Sequence, residues 1–307
     1  MLYNISMIIS FICVFLALAF FTLLERKILS YMQFRKGPNK VALVGLAQPL
    51  ADALKLLSKE HLKLKLINKL PYFISPIMSL FLALVLWHFS LIFSFIYIKW
   101  GLLFFICVSS VNVYGIMIAG WSSNSKYALL GALRSVAQSI SYEISMVIIL
   151  LFPIILVKSF SCAELNNFNK NQFLGALFLV ALVMWLISCI AETNRAPFDF
   201  AEGESELVSG FNVEYGGIGF TLIFMAEYAN ILFMSFMTSL IFLGGCWFFI
   251  DSFVFLMLKT YFVSIFFVWV RASFPRFRYD LLMNLMWKSF LPIGLSFLFF
   301  VMCMMVV

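Results

Sequence analysis

Residues 2–24 read LYNISMIISFICVFLALAFFTLL, an apolar run without a charged residue that ends directly at Glu25, Arg26 and Lys27. A helix of about 20 apolar residues crosses the hydrocarbon layer of a bilayer. The small-residue pattern of a signal-peptide cleavage site does not precede the three charges. We therefore interpret this run as a membrane-spanning helix that is not removed.

The composition of the whole chain agrees with that interpretation. Of its 307 residues, 64% are hydrophobic and 11% are charged, whereas a soluble domain has ~25% charged residues. So few polar side chains cannot cover the surface of a water-soluble protein of this size. The composition excludes an ordinary soluble enzyme, a disordered chain and a secreted disulfide scaffold.

Seven further apolar runs are long enough to cross a bilayer. The eight predicted spans are 2–24, 72–94, 100–121, 136–157, 172–191, 218–246, 252–270 and 282–306. They predict an all-α, polytopic membrane protein with about eight transmembrane helices in a single integral membrane domain, 1–307. The run 218–246 is longer than a ~30 Å hydrocarbon layer requires, so we expect a tilt or a break in it.

The basic residues predict the orientation of these spans. Loop 25–71 carries ten Lys and Arg residues, and loops 122–135, 192–217 and 271–281 carry two, one and three. The loops on the opposite side contain only Lys99, Lys158 and Lys170. Basic loops stay on the side where a membrane protein is synthesised. We call this the basic side, and both chain termini are expected on the side opposite to it.

Segment 41–66 has the pattern of an amphipathic helix rather than of a span. Leu46, Leu50, Leu54 and Leu57 recur at helical spacing, with charged residues between them. Such a helix lies along the membrane surface or against a partner. Pro49 is expected to break or kink it.

Six of the fourteen acidic residues fall in one stretch after the fifth predicted span. They are Glu192, Asp199, Glu202, Glu204, Glu206 and Glu214, with Arg195 as the only basic residue among them. A solvated acidic loop is one reading of this stretch. The apolar residues between the acids, such as Phe198, Phe200 and Phe211, favour a segment folded back into the protein, where shielded acids take up protons.

Two more carboxylates lie inside predicted spans, Glu143 in the fourth and Glu227 in the sixth. A carboxylate at membrane depth costs a few kcal/mol and marks an ion or proton path by default. Both are expected roughly 10–14 Å from the basic side, at 1.5 Å per residue. The alternative is a protonated structural acid that is hydrogen-bonded to a neighbouring helix.

The sequence lacks the motifs of a redox or metal centre. Its six cysteines include no CxxC, and His61 and His88 are far apart. Neither GxGxxG nor a P-loop occurs. The chain therefore has the residues of a proton relay without a redox centre of its own.

Five stretches resemble the NADH–ubiquinone oxidoreductase chain 1 family, the membrane subunit of respiratory complex I nearest its peripheral arm. They are LLERKILSYMQFRKGPNK (23–40), QPLADALKLLSKE (48–60), AGWSSNSKYALLGALRSVAQSISYE (119–143), AETNRAPFDFAEGESELVSGFNVEY (191–215) and RASFPRFRYDLLMNLMWK (271–288). The resemblance covers nearly the whole chain, and the run 191–215 is highly specific.

The resemblance implies two sets of site residues. The first set lines or neighbours the membrane part of a quinone-binding chamber: Glu25, Arg26, Arg35, Asp52, Phe224, Met225 and Arg276. The second set starts a carboxylate path that couples quinone reduction to proton translocation: Glu143, Glu192, Asp199, Glu202, Glu204, Glu206 and Glu227. No residue of this chain is implied to be catalytic or to bind a metal.

The resemblance also implies the partners of the chain. Ubiquinone is the substrate, whereas NADH, FMN and the iron–sulfur clusters belong to partner subunits. Expected neighbours are the peripheral-arm subunits with the terminal iron–sulfur cluster, the antiporter-like membrane subunits and phospholipid, but no nucleic acid. The 38 Phe and 16 Met residues are typical of an AT-biased organelle genome, which predicts a mitochondrially encoded, multi-pass protein of the inner membrane.

Two other functions use the same residues. A stand-alone proton or ion transporter would also need buried acids, but its basic-side loops would be free. A structural anchor would dock a peripheral redox module through loops 25–71 and 192–217, and its buried acids would be dispensable.

Overall fold

A computed structural model describes residues 2–60, 66–95, 99–171, 174–201, 203, 207–244, 246–247, 250–251 and 253–306. The helices are α1 (Leu2–Met32), α2 (Gln48–Leu57), α3 (Lys69–Phe95), α4 (Gly101–Ser122), α5 (Lys126–Val157), α6 (Cys162–Asn171), α7 (Leu174–Leu177), α8 (Leu179–Glu192), α9 (Ile218–Thr238), α10 (Phe253–Ser273), α11 (Tyr279–Leu285) and α12 (Leu291–Val306). A 3₁₀ turn covers Gly210–Asn212, and π-helical segments cover Ser239–Leu243 and Met286–Phe290. Strands β1 (Cys246–Trp247) and β2 (Ile250–Asp251) form a two-residue antiparallel ladder.

Seven helices in the described residues are long and apolar enough to cross a bilayer. They are Ile8–Met32, Lys69–His88, Gly101–Ser122, Lys126–Val157, Ile218–Leu243, Val254–Ser273 and Tyr279–Met305. The remaining predicted span, the fifth (172–191), corresponds to α7 and α8, which are interrupted at Phe178. At 1.5 Å per residue α8 is ~21 Å long, too short to cross the hydrocarbon layer without α7. The prediction of an all-α, polytopic membrane protein with about eight spans is confirmed.

Two predicted loops are shorter than the sequence pattern indicated. Helix α1 continues through Arg26 and Lys27 to Met32, and α5 already begins at Lys126. The prediction of a loop over 122–135 is therefore wrong for most of that range. Hydropathy marks only the part of a helix that lies in lipid, and residues of high helix propensity, such as Ala and Leu, continue the helix beyond it.

The predicted amphipathic helix over 41–66 exists, but it is short. Helix α2 spans Gln48–Leu57, and Pro49 lies in its first turn, where a proline is tolerated, so it starts the helix instead of kinking it. Leu50, Leu54 and Leu57 are all more than half exposed. The apolar stripe of α2 is thus left uncovered by the described part of this chain.

Small residues let the central helices approach closely. Helix α4 packs between α3 and α5, and α9 packs against α3. A Cβ atom added at Gly120 on α4 would lie 2.2 Å from the Cβ atom of Ala132 on α5. In lipid, close contacts of this kind supply much of the packing energy between helices.

We expect Gly120→Ala to destabilise the chain by about 1–3 kcal/mol, because the two helix backbones would have to separate. The matched control is Gly216→Ala, since a Cβ atom there has no neighbour within 4 Å. Thermal unfolding of the detergent-solubilised protein measures the difference. Equal unfolding temperatures for the two variants would contradict the close packing of α4 on α5.

The end of α9 fulfils the expectation of a break in the sixth span. The helix changes to the π-helical segment Ser239–Leu243, which releases backbone carbonyls from their usual partners. Asn169 donates to the carbonyl oxygens of Leu240 (2.9 Å) and Ile241 (2.8 Å). The Lys259 ammonium donates to those of Leu243 (2.7 Å) and Gly244 (2.9 Å). These two side chains stabilise the broken end.

Candidate functional site

A buried ionic cluster joins α1, α9, α10 and the loop after α8. Glu25, only 5% exposed, accepts hydrogen bonds from Arg195 (Nη1 to Oε1, 3.3 Å) and from Arg271 Nη1. The Tyr228 hydroxyl donates to Glu25 Oε2 (2.6 Å), and the Arg195 guanidinium lies 4.4 Å from the centre of the Tyr228 ring. We call these four residues the Glu25 cluster.

The Glu25 cluster contains two cations against one carboxylate. Burial alone would lower the pKa of the Arg195 guanidinium, but Glu25 and then Tyr228 and Glu227 raise it above its usual range. Arg195 is therefore a permanent cation inside the protein. The family resemblance implied that Glu25 lines or neighbours a quinone passage, but its three partners were missed, although Arg195 stood out as the only base among six acids.

Arg26 and Asp52 of the predicted quinone set are brought together. Arg26 Nη1 lies 2.6 Å from Asp52 Oδ2, and Gln48 Nε2 donates to Asp52 Oδ1 (2.8 Å). These contacts hold α2 against the basic-side end of α1. Arg35 lies exposed on the turn after α1, where its Nε donates to Gln33 Oε1 (3.0 Å).

The other members of the quinone set lie on α9 and on the segment before α11. The Phe224 ring lies 6.0 Å from the ring of Tyr228, which places it beside the Glu25 cluster, and Met225 follows it on α9. Arg276 Nη2 lies 3.4 Å from Asp199 Oδ2. This contact joins a residue of the predicted quinone set to one of the predicted carboxylate path.

Two acids of the predicted path line two small cavities, Glu227 the first and Glu192 both. The first, of about 40 Å³, is lined by Glu192 and Glu227 together with Asn112 and Asn230. The second, of about 20 Å³, shares Asn112, Glu192 and Asn230 with the first. A void of 10–15 Å³ in a polar setting accommodates one water molecule. Glu192 thus stands where two hydratable cavities meet.

Glu143 on α5 lies close enough to Glu192 for their charges to interact. Glu143 Oε1, Glu192 Oε2 and Asn230 Oδ1 are buried and have no hydrogen-bond partner within the described part of the chain. Buried polar atoms need partners, and a hydrated cavity supplies them. Two carboxylates this close repel each other when both are ionised, so the charge on one affects the other.

Glu202, Glu204 and Glu206 lie outside the described residues. Their neighbours Ala201 and Leu207 are 1% and 4% exposed, and Phe200 and Phe211 are both 2% exposed. The described residues on both sides of 202–206 are therefore buried, as a stretch folded back into the protein requires.

Gln138 fixes the start of this stretch against α5. Its Nε2 donates to the carbonyl oxygens of Ala191 (2.8 Å) and Phe198 (2.9 Å). Gln138 precedes Glu143 by five residues on α5. The same helix therefore positions both the start of the acidic stretch and Glu143, which interacts with Glu192 of that stretch. Sequence reasoning missed this residue, and only its polar character within a buried helix could have indicated it.

A metal site is not formed within the described part of the chain, because no group of three or more His, Cys, Asp or Glu side chains comes together there. The chemistry that this arrangement can perform is proton transfer among carboxylates and water. It can also bind a polar head group beside Glu25 and Arg271.

Known proteins resemble this chain over nearly its full length. The family model described as NADH dehydrogenase matches residues 5–302. NADH-ubiquinone oxidoreductase chain 1 of Heterololigo bleekeri is 56% identical over 298 residues, which are 96% of this chain and 95% of the relative. The protein of the same name from Aedes aegypti is 54% identical over 294 residues, 94% and 91% of the two chains. The chain therefore belongs to the NADH dehydrogenase family, among relatives named NADH-ubiquinone oxidoreductase chain 1.

Proposed function

We propose that the chain is the membrane subunit of a proton-pumping NADH:ubiquinone oxidoreductase, complex I, of the mitochondrial inner membrane. It forms the membrane part of the quinone chamber and the start of a carboxylate path. The observation that carries this proposal is the pairing of the Glu25 cluster with the acid-lined cavities, since Arg195 contacts Glu25 and interacts with Glu227. One buried cation thus joins the proposed quinone region to the proposed proton path.

An apolar cavity supports the quinone part of the proposal. It has a volume of about 630 Å³ and lies between α1, α9 and α10. Along α1 it extends from Ser10 to Leu24, or ~21 Å at 1.5 Å per residue. Phe21 lines both this cavity and a small cavity beside Glu25. A ligand with an apolar tail and a polar head fits here, because the apolar cavity leads to the charged residues beside Glu25.

The acid-lined cavities support the coupling part. A quinone that is reduced near the Glu25 cluster takes up protons and changes the charge that its surroundings favour. Arg195 and Glu227 sense that change because their charges interact, and Glu192 shares the cavity with Glu227. A shift of one unit in the pKa of an acid changes its ratio of protonated to ionised form tenfold, which corresponds to about 1.4 kcal/mol. Several coupled acids pass this free energy on as proton occupancy or local rearrangement.

The remaining chemistry belongs to partner subunits. NADH, FMN and the iron–sulfur clusters are bound there, and electrons reach the quinone without passing through this chain. The exposed leucines of α2, Leu50, Leu54 and Leu57, fit an apolar surface of a peripheral-arm subunit. Antiporter-like subunits continue the path within the membrane, and phospholipid covers the free apolar faces.

A photoreactive ubiquinone analogue tests the quinone chamber. In intact complex we expect it to label residues 21–32 at the end of α1 and 220–231 on α9, since these segments carry the Glu25 cluster and Phe224. Mass spectrometry of the labelled peptides measures this, and excess ubiquinone should remove the label. Helix α12 is the control, because it is a membrane helix outside the site. Labelling that ubiquinone displaces only from α12 would contradict the proposal.

A stand-alone proton transporter is the second candidate, because the buried acids would serve it equally well. Native electrophoresis after mild detergent extraction separates the two functions. A complex I subunit migrates in a large assembly with its peripheral partners, whereas a free transporter migrates alone or as a small oligomer. The structural anchor is separated by the Glu192 variant discussed below.

A further inference from the structure

A group of hydroxyl side chains near the basic-side ends of α3, α4 and α9 is not used by the proposed function. The Tyr215 hydroxyl lies 2.9 Å from Ser75 Oγ and 3.2 Å from Ser122 Oγ, and either atom of each contact can be the donor. All three residues are buried, at 6%, 1% and 0% exposure. Buried hydroxyls without partners cost free energy. These contacts satisfy them, together with hydrogen bonds from Ser122 Oγ (3.1 Å) and the Tyr215 hydroxyl (3.4 Å) to the carbonyl oxygen of Ala119.

The hydroxyl group stands between two cavities. Tyr215 and Tyr72 are the polar side chains of a cavity of about 180 Å³ whose other lining residues are apolar or glycine. Tyr72 is three residues from the start of α3, and Gly216 precedes α9, so this cavity lies close to the basic side. Ser75, the partner of Tyr215, lines the other cavity, which contains Glu192 and Glu227.

The ring of Tyr215 is held firmly in this position. It stacks on Tyr72 with 4.4 Å between ring centres and 5° between ring planes. The Tyr72 hydroxyl donates to the carbonyl oxygen of Glu214 (2.7 Å), the residue before Tyr215. Burial raises the pKa of Tyr215 and the hydrogen bonds to Ser122 and Ser75 lower it, with a net increase. The phenol therefore keeps its proton at neutral pH.

We propose that Tyr215 and Ser75, with Ser122 as a second partner of the Tyr215 hydroxyl, form a proton relay that connects the basic-side cavity with the cavity of Glu192 and Glu227. In each transfer a hydroxyl oxygen accepts one proton and releases its own to the next oxygen, and rotation of the hydroxyls then restores the starting state. No electrons move, and each hydroxyl group carries a charge only during the transfer. The relay rests on the proposed carboxylate path, to which it supplies protons independently of the quinone chamber.

Tyr215→Phe tests the relay, because it removes the hydroxyl and keeps the ring that stacks on Tyr72. In membranes containing the whole complex, we expect NADH-driven ubiquinone reduction with proton pumping to fall about tenfold. Turnover should also slow more in D₂O than it does in the unchanged complex. Ser75→Ala should act in the same direction. Tyr114→Phe is the control, since Tyr114 is 59% exposed on α4 and its variant should turn over normally.

Two results would overturn the relay. One is unchanged turnover in Tyr215→Phe. The other is slowed turnover with an unchanged solvent isotope effect, which indicates a structural role only. Glu192→Gln in the same membranes separates this proposal from the proposed function. If Glu192→Gln loses turnover and Tyr215→Phe does not, the relay is wrong and the carboxylate path stands. If both variants turn over normally, the carboxylate path is wrong as well.

Discussion

Glu192→Gln should lower coupled NADH:ubiquinone turnover about a hundredfold, the range expected when an essential proton carrier is removed. Glu192 lines both acid-lined cavities and interacts with Glu143, so the proposed path runs through it. Glutamine has nearly the same shape but cannot release a proton at neutral pH. Assembly should therefore be normal while turnover and pumping are lost.

Proteoliposomes with a pH-sensitive dye inside measure pumping and turnover together. The control is Glu60→Gln, because Glu60 is exposed at the end of the segment that follows α2, and full activity is expected. If Glu192→Gln assembles and pumps at the normal rate, the carboxylate path is wrong and the structural anchor is favoured.

Glu143→Gln extends this test to the pair. Because the two acids interact, the double variant should lose less than the sum of the two single losses in activation free energy. Strict additivity would show that Glu143 and Glu192 act separately.

Glu25→Gln has the second large expected effect, on stability. The amide keeps the volume of Glu25 but removes the only carboxylate between Arg195 and Arg271 in their cluster. Removing one partner of a buried ion pair strands the other charges and costs about 3–5 kcal/mol. Because Arg271 is 39% exposed, we expect the lower end of this range. That loss is large against the total stability of a membrane domain, so little assembled complex should remain.

Native electrophoresis and thermal unfolding measure the loss. Asp280→Asn is the control, because its pair with Arg278 (2.9 Å) is exposed on both sides, and exposed pairs contribute little. Adding Arg271→Gln to Glu25→Gln removes one of the two stranded cations, so part of the lost stability should return. A double variant that is less stable than Glu25→Gln would show that charge imbalance is not the cause.

The sequence alone indicated which acids deserve attention, but not how they meet. Glu143 stood out because a carboxylate in an apolar run is rare, and Glu192 because it opens an acidic stretch. The two acids meet because α5 packs against α8, and the packing of these two helices leaves no periodic signal in the sequence. The same holds for Tyr215, because its hydroxyl contacts join it to Ser75 and Ser122, which are far from it in the chain.

Hydropathy alone predicted the helical membrane architecture with about eight spans, because partition into lipid depends on each segment's own composition. Only the tertiary structure showed that α5 begins ten residues before the predicted span and that the fifth span is interrupted at Phe178. It also showed that Glu25 is neutralised by Arg195, 170 residues away in the chain, and by Arg271, 246 residues away. Ion pairing and cavity formation depend on distances in space, and residues so far apart in the chain become neighbours only once the helices have packed.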